Sequence, residues 1–241
     1  MATKNAWNNI ITSAAVTLNG GAVNIGSDNA ANAINIGVGT TARTVGICNS
    51  AAAHLLTLGS SNGAASTTIQ YGTAGLSVTG GAGGQSMAIS SAGQITQPLQ
   101  PVFDAYLLNT ATDVTGDATV YTVIFDTELT DIGGNYNNTT GIFTAPVTGK
   151  YFFTTSIEAS GIGAHTSAQC LIVTTPKTFQ GMLINPATSA GGLLNTIATT
   201  VVALTAGDTA KVTITYSGST KTVDIFGNAS AFTYFSGFLI G

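Results

Sequence analysis

Apolar and polar positions alternate with a period of two along most of this chain. The clearest instance is Gly141-Ile142-Phe143-Thr144-Ala145-Pro146-Val147-Thr148-Gly149-Lys150-Tyr151-Phe152-Phe153. Read as strand, Ile142 and Thr144 project to one side and Phe143 and Ala145 to the other; Pro146 to Gly149 supply a turn, and Tyr151 and Phe153 return to the core side. The same alternation predicts strands over residues 103–106, 121–125, 168–173, 196–204, 210–216 and 231–240, each bounded by turn-forming residues. Many short strands with such boundaries predict an all-β fold, a sandwich built from antiparallel strands.

Before residue 97 the alternation is sparser and repetitive. Val23 and Ile25, Ile34 and Ile36, Val45 and Ile47, and Leu56 and Leu58 are the apolar ends of apolar-polar-apolar triplets recurring every eleven residues, and Gly26, Gly37, Cys48 and Gly59 follow them. Ile69 with Tyr71, Leu76 with Val78 and Met87 with Ile89 continue the pattern with shifted spacing. An eleven-residue period also suits a right-handed coiled coil, but flanks of Gly, Ser and Thr are poor helix formers, so strand is the better reading. Each triplet buries too little to offset backbone ordering at about 1–2 kcal/mol per residue. Several chains must therefore share one core, which predicts a trimeric β-repeat shaft centred on Val23, Ile25, Ile34, Ile36, Val45, Ile47, Leu56 and Leu58. The expected layout is an attachment segment over residues 1–13, the shaft over 14–96, the joint Gln97-Pro98-Leu99-Gln100-Pro101, and a head over 102–241.

Charge sharpens this division. Only Lys4, Asp28 and Arg43 are charged among the first hundred residues, whereas the rest carries Lys150, Lys177, Lys211 and Lys221 against nine carboxylates. Charged residues make up 7% of the chain, against about a quarter in an ordinary soluble domain, so concealment of surface by oligomerisation is expected. A net charge of −4 without any basic cluster disfavours nucleic acid as a partner. Gly, Ser, Thr and Asn interrupt every apolar run, so membrane insertion is not expected. The opening Met1-Ala2-Thr3-Lys4-Asn5-Ala6-Trp7 has no apolar stretch of the secretory type, so no conventional signal peptide is expected. Cys48 and Cys170 do not form a disulfide framework and are expected to be buried and inert.

The order of motifs after residue 101 resembles the jelly-roll heads of the complement-one-q and tumour-necrosis-factor superfamily. The residues that carry this are Phe103, Phe125-Asp126, Asn135-Tyr136-Asn137, the run Gly141-x-Phe143-x-Ala145-Pro146-x-x-Gly149-x-Tyr151-x-Phe153, Leu204-x-x-Gly207-Asp208, and Phe235-Ser236-Gly237-Phe238-Leu239. The resemblance implies a head that trimerises through apolar strand faces. The collagen-like stalk of animal members is missing, and no animal-ligand signature is present in Gly161-Ile162-Gly163-Ala164-His165. Tracts of the repeat region resemble the β-structured fibres of viral and phage tails.

Candidate chemistry is thin. Asp126, Glu128 and Asp131 are the densest acidic cluster, a weak alternative calcium site that lacks calcium-loop spacing. His54 and His165 are too far apart in sequence to suggest a zinc or Ser-His-Asp constellation. His54 falls in a repeat slot otherwise held by Arg43 and Asn32, a polar turn position. Gly80-Gly81-Ala82-Gly83-Gly84 lacks the Lys and helix of a phosphate loop. Asn138-Thr139-Thr140 and Asn228-Ala229-Ser230 fit the glycosylation pattern, which stays idle without export. No enzyme activity, cofactor or resident metal is expected.

Together these readings predict a homotrimeric structural fibre or spike of a virus or phage, assembled in the host cytoplasm and displayed on the virion. Trp7 is the expected anchor to another virion or surface protein. The knob is expected to hold a host-surface glycan or protein through two loops, one carrying Asn135, Tyr136, Asn137 and Asn138 and the other Gly161 and His165. The alternatives are an extracellular adhesin or filament subunit of a cellular microbe, and a glycan-depolymerising tailspike.

Overall fold

A computed structural model of the chain describes residues 69–71, 73–79, 85–186 and 192–241. The expected shaft core of Val23, Ile25, Ile34, Ile36, Val45, Ile47, Leu56 and Leu58 lies outside the described residues, as do Trp7, Cys48 and His54. Apart from Ile69, all the described residues belong to one compact unit, Gln70–Gly241.

The unit begins with a small antiparallel sheet of β1 (Leu76–Thr79), β2 (Gln85–Ile89) and β3 (Ile95–Thr96). Leu76 pairs with Ile89 and Val78 with Met87. Two apolar pairs expected to serve a shared threefold core thus oppose each other in a hairpin within one chain.

The head follows. Its strands are β4 (Val102–Tyr106), β5 (Ala111–Thr115), β6 (Val120–Thr122), β7 (Thr127–Ile132), β8 (Tyr136–Asn137), β9 (Ile142–Thr144), β10 (Gly149–Ser160), β11 (Ser167–Thr174), β12 (Thr178–Ile184), β13 (Leu193–Leu204), β14 (Thr209–Ser217), β15 (Val223–Ile225) and β16 (Tyr234–Leu239). In one sheet β10 pairs with β13 on one side and with β16 on the other, and β4 and β7 continue outward from β16. β15 and β5 extend this sheet at the Ser160 end of β10. The second sheet runs β12-β11-β14-β9-β8, with β6 also paired to β14. All these pairings are antiparallel, and the two sheets pack as a jelly-roll sandwich.

Alternation drives the packing. Along β10 the burial of Tyr151, Phe153, Thr155, Ile157 and Ala159 marks one face, and β13 buries Thr196, Ala198, Thr200, Val202 and Leu204. Aromatic rings join the two layers. Phe103 of β4 stacks on Phe143 of β9 at 4.9 Å and on Tyr136 of β8 at 5.0 Å, and meets Phe235 of β16 edge-on at 4.9 Å. Such pairs add about 0.5–1.5 kcal/mol each beyond the area they bury.

The expected strand over 121–125 stops at Thr122. Val123 still donates its N–H to Val212 O (3.0 Å), but the Phe125 N–H donates to the Tyr136 hydroxyl (3.2 Å) instead of a ladder carbonyl. The Thr-Glu-Leu-Thr-Asp-Ile sequence of β7 shows little apolar alternation and reads as loop, yet it forms a strand. It pairs along β4 with a bulge between Asp104 and Ala105, so the edge forms from backbone pairing and not from a buried stripe.

Candidate functional site

Three surfaces of the head could meet another molecule: the outer face of the sheet containing β10, a groove beside the Asn137–Gly141 turn, and the loops at the Ser160 end.

The sheet face is set by register. Val201 lies opposite Phe152, Phe152 opposite Phe238, Phe238 opposite Val102, and Val102 opposite Ile132. This is an unbroken apolar row across five strands, about 19 Å wide at ordinary strand spacing. Phe152 and Phe238 have ring centroids 5.2 Å apart. Phe238 is 44% exposed and Val201 55% exposed, so the row faces outward. The next row reads Thr199, Thr154, Ser236, Asp104 and Thr130. Its polar groups satisfy one another: Thr154 and Thr199 hydroxyls lie 3.1 Å apart, and the Ser236 hydroxyl donates to Asp104 Oδ1 at 2.6 Å. Beyond it come Ile197, Ser156, Tyr234 and Tyr106, with Ile197 52% exposed. Side chains already paired within their own face lose little when covered.

The motif glycines and the turn residues hold this sheet in place. Gly237 sits opposite Phe153, where any side chain would collide with rings. Gly207 has a φ of 93°, the Thr205 N–H donates to Asp208 Oδ2 at 2.8 Å, and the Ala145 N–H donates to the Asp208 carbonyl at 2.8 Å. The Tyr151 hydroxyl donates to Val147 O at 2.7 Å and ties down the turn that contains Pro146 and precedes Gly149. At this end Leu239 N donates to Pro101 O and Lys150 N to Gly241 O, so the joint and the last residue meet beside the same turn.

The groove has a volume of about 640 Å³ and runs between the Asn137–Gly141 turn and Pro146. Asn137 Oδ1 accepts from Thr139 N (2.9 Å), Thr139 Oγ1 (2.6 Å) and Thr140 N (3.2 Å), which makes the turn rigid. Gly141 closes it with a φ of 73°. Asn138 and Thr144 are exposed, Ile142 is half-buried, and Asn135 forms part of the wall. A smaller apolar crevice of about 340 Å³, lined by Leu99, Pro101, Ile132, Val147 and Leu239, adjoins it.

The two loops expected to bind lie at opposite ends of the head. Asn135 lies beside the Pro146 turn near one end of β10, whereas Gly161 follows the other end. Twelve residues of strand place these ends roughly 36 Å apart. His165 is wholly buried, so its assignment to a binding surface is corrected: Nε2 lies 2.9 Å from Thr220 O, where the ring N–H donates, and Nδ1 has no partner among the described residues. Tyr136 is corrected likewise. It is 5% exposed, its ring packs on Phe103, its hydroxyl bonds Phe125 N and O, and burial pushes the phenol well up from its ordinary range. Sequence does not announce either burial, because the partners lie on other strands and loops.

The acidic trio does not converge. Asp126 Oδ1 accepts from Leu108 N at 2.8 Å and Oδ2 from Asn109 Nδ2 at 3.0 Å, while Asp131 accepts from Asn135 N and Tyr136 N at 3.0 Å each. Asp126 precedes β7 and Asp131 is near its far end, roughly 15 Å away along the strand, and Glu128 lies between them. One calcium ion needs all its oxygens within about 2.6 Å, so these carboxylates serve loops and not a common ion. Partial burial raises the Asp126 carboxyl, but the hydrogen bonds from Leu108, Asn109 and Thr127 outweigh it and hold the group below the usual carboxylate range. Among the described residues no three His, Cys, Asp or Glu side chains are grouped as a metal site would require.

A family model described as the C1q domain matches residues 105–240. Among solved structures, the globular domain of a zebrafish complement 1qA protein is 20% identical, with a TM-score of 0.44, covering 59% of this chain and 98% of that one. A crystal structure of murine APRIL at pH 8.5 is 12% identical, with a TM-score of 0.43, covering 58% of this chain and 99% of that one. No curated protein matches the chain.

Proposed function

The chain belongs to the C1q domain family over residues 105–240, and we propose that it is the subunit of a homotrimeric viral or phage fibre whose C-terminal head attaches to a host surface. The observation that carries this reading is the row Val201, Phe152, Phe238, Val102 and Ile132, apolar across five strands, with Val201 and Phe238 exposed and the other three half-buried in a single chain. Full burial of a side chain such as Phe238 or Val201 is worth about 1.5–3 kcal/mol, and threefold packing covers three copies of the row at once. Heads of this family assemble in threes through apolar strand faces, which supports the same arrangement. The eleven-residue repeat before residue 69 supports it independently, since its triplets are too sparse for one chain.

In this reading the repeat region is the shaft, and the pairs Val23 and Ile25, Ile34 and Ile36, Val45 and Ile47, and Leu56 and Leu58 form its shared core. Trp7 engages another virion protein, and the protein reaches the virion surface from the host cytoplasm. The head acts by binding, without catalysis or a cofactor, and three weak contacts combine by avidity. Light scattering on the purified full chain should give three times the 24.1 kDa chain mass; a stable monomer would overturn the proposal. Copurification with particles tests the viral assignment separately, and release of sugar from host polysaccharide would replace binding with depolymerisation.

A further inference from the structure

We propose that the groove between the Asn137–Gly141 turn and Pro146 binds a neutral oligosaccharide, an inference that rests on the binding-head reading and gives that head its contact site. Three features of the groove select this ligand class. The first is charge. No side chain lining it is ionised at neutral pH, so a phosphate, an acidic sugar or a basic peptide would be desolvated there without a counter-charge.

The second is hydrogen-bonding capacity. Among the described residues the Asn138 carboxamide and the Thr144 hydroxyl make no side-chain hydrogen bond, and Asn137 uses only its carbonyl oxygen, leaving its NH₂ to donate. Carboxamides present donor and acceptor side by side, which matches the adjacent hydroxyls of a sugar ring. Asn137 is already held by three hydrogen bonds in its own turn, so little rotamer freedom is lost on binding. The third is the apolar surface of Ile142 and Pro146, against which the C–H face of a sugar can lie.

Shape agrees with this chemistry. A volume of about 640 Å³ falls in the usual range for small-ligand sites, roughly 300–1,000 Å³, and an open groove admits a chain of sugars passing through. The Asn137–Gly141 turn joins β8 and β9 at the edge of the second sheet, whereas the apolar row crosses the first sheet and comes near the groove only at Ile132, in the adjoining crevice, so the Asn138 side stays available in a trimer.

The test uses the full-length protein on an array of neutral oligosaccharides and their sialylated counterparts, followed by titration of the best neutral hit. Saturable binding to neutral members is expected, weakened at least about tenfold by Asn138→Ala and by Thr144→Val, with mass and thermal midpoint unchanged. Binding confined to sialylated members, hits that survive both substitutions, or an absence of hits from an intact trimer would each overturn this inference while leaving the trimeric head standing. Loss of the trimer itself would instead count against the underlying reading.

Discussion

Gly237 lies directly opposite Phe153 across the β10–β16 ladder, and a Cβ built on it would come within 2.5 Å of the Phe153 ring and 2.7 Å of the Phe103 ring. Its φ is outside the left-handed region, so the requirement for glycine is steric: two aromatic rings converge where the backbone must make room. Gly237→Ala should destabilise the head by about 1–3 kcal/mol, the ordinary cost of overpacking, and lower the midpoint of chemical unfolding.

The apolar row makes a prediction about assembly. Val201→Asp places a charge at the exposed β13 end of the apolar row and should convert the trimer to a folded 24.1 kDa monomer with unchanged circular dichroism. Val120→Asp is the matched control, since Val120 is 63% exposed on β6 of the other sheet. It should leave the mass unaltered in light scattering. Equal dissociation by both substitutions would show that the row is not the contact.

Two buried tyrosines should respond in opposite ways to loss of their hydroxyls. Tyr216 is 1% exposed and its oxygen has no partner among the described residues, so Tyr216→Phe should be neutral or stabilising by up to about 1 kcal/mol. The Tyr136 hydroxyl bonds both Phe125 N and Phe125 O, at 3.2 and 3.3 Å. Tyr136→Phe strands those backbone groups in the core and should cost about 1–3 kcal/mol. Thermal melts of the two variants check the sign directly.

Burial pushes the Cys170 thiol up to about 11, partly opposed by a hydrogen bond with Thr196, and burial also raises Tyr136 and Tyr216. Groups raised in the folded state give stability that is complete below their unfolded values and lost as pH climbs through the folded ones. The head should therefore weaken above about pH 9. Asp126 is depressed, so its contribution is present above its unfolded value and lost as pH falls through the acid range below about 4. At pH 8 only about one Cys170 in a thousand is thiolate, and peptide-level maleimide mapping should find it unmodified until the protein unfolds.

Much of the fold was legible in particular residues. Phe143, Ala145, Tyr151 and Phe153 alternate so strongly that strand, turn and core side follow from the letters, and all four are buried as that alternation requires. Gly237 and Gly207 were visible as motif positions, although only the structure shows that one yields to rings and the other to a left-handed turn. β7 was illegible because its pairing comes from backbone groups of β4, which no side-chain pattern records.

The candidate sites divide along the same line. Asn135, Asn137 and Asn138 stand out in sequence and do line a groove, yet Tyr136 between them turns into the core because Phe103 and Phe125 wait on other strands. His165 reads as a loop residue and is instead held by Thr220, 55 positions later. Asp126 and Asp131 read as neighbours and are drawn apart by backbone N–H groups of different segments. What the sequence determined alone was local: which residues alternate, where turns fall, and how little charge the chain carries. Which apolar faces meet, which polar groups find partners, and which row is left uncovered were decided by tertiary structure, because those outcomes depend on strands brought together from distant parts of the chain.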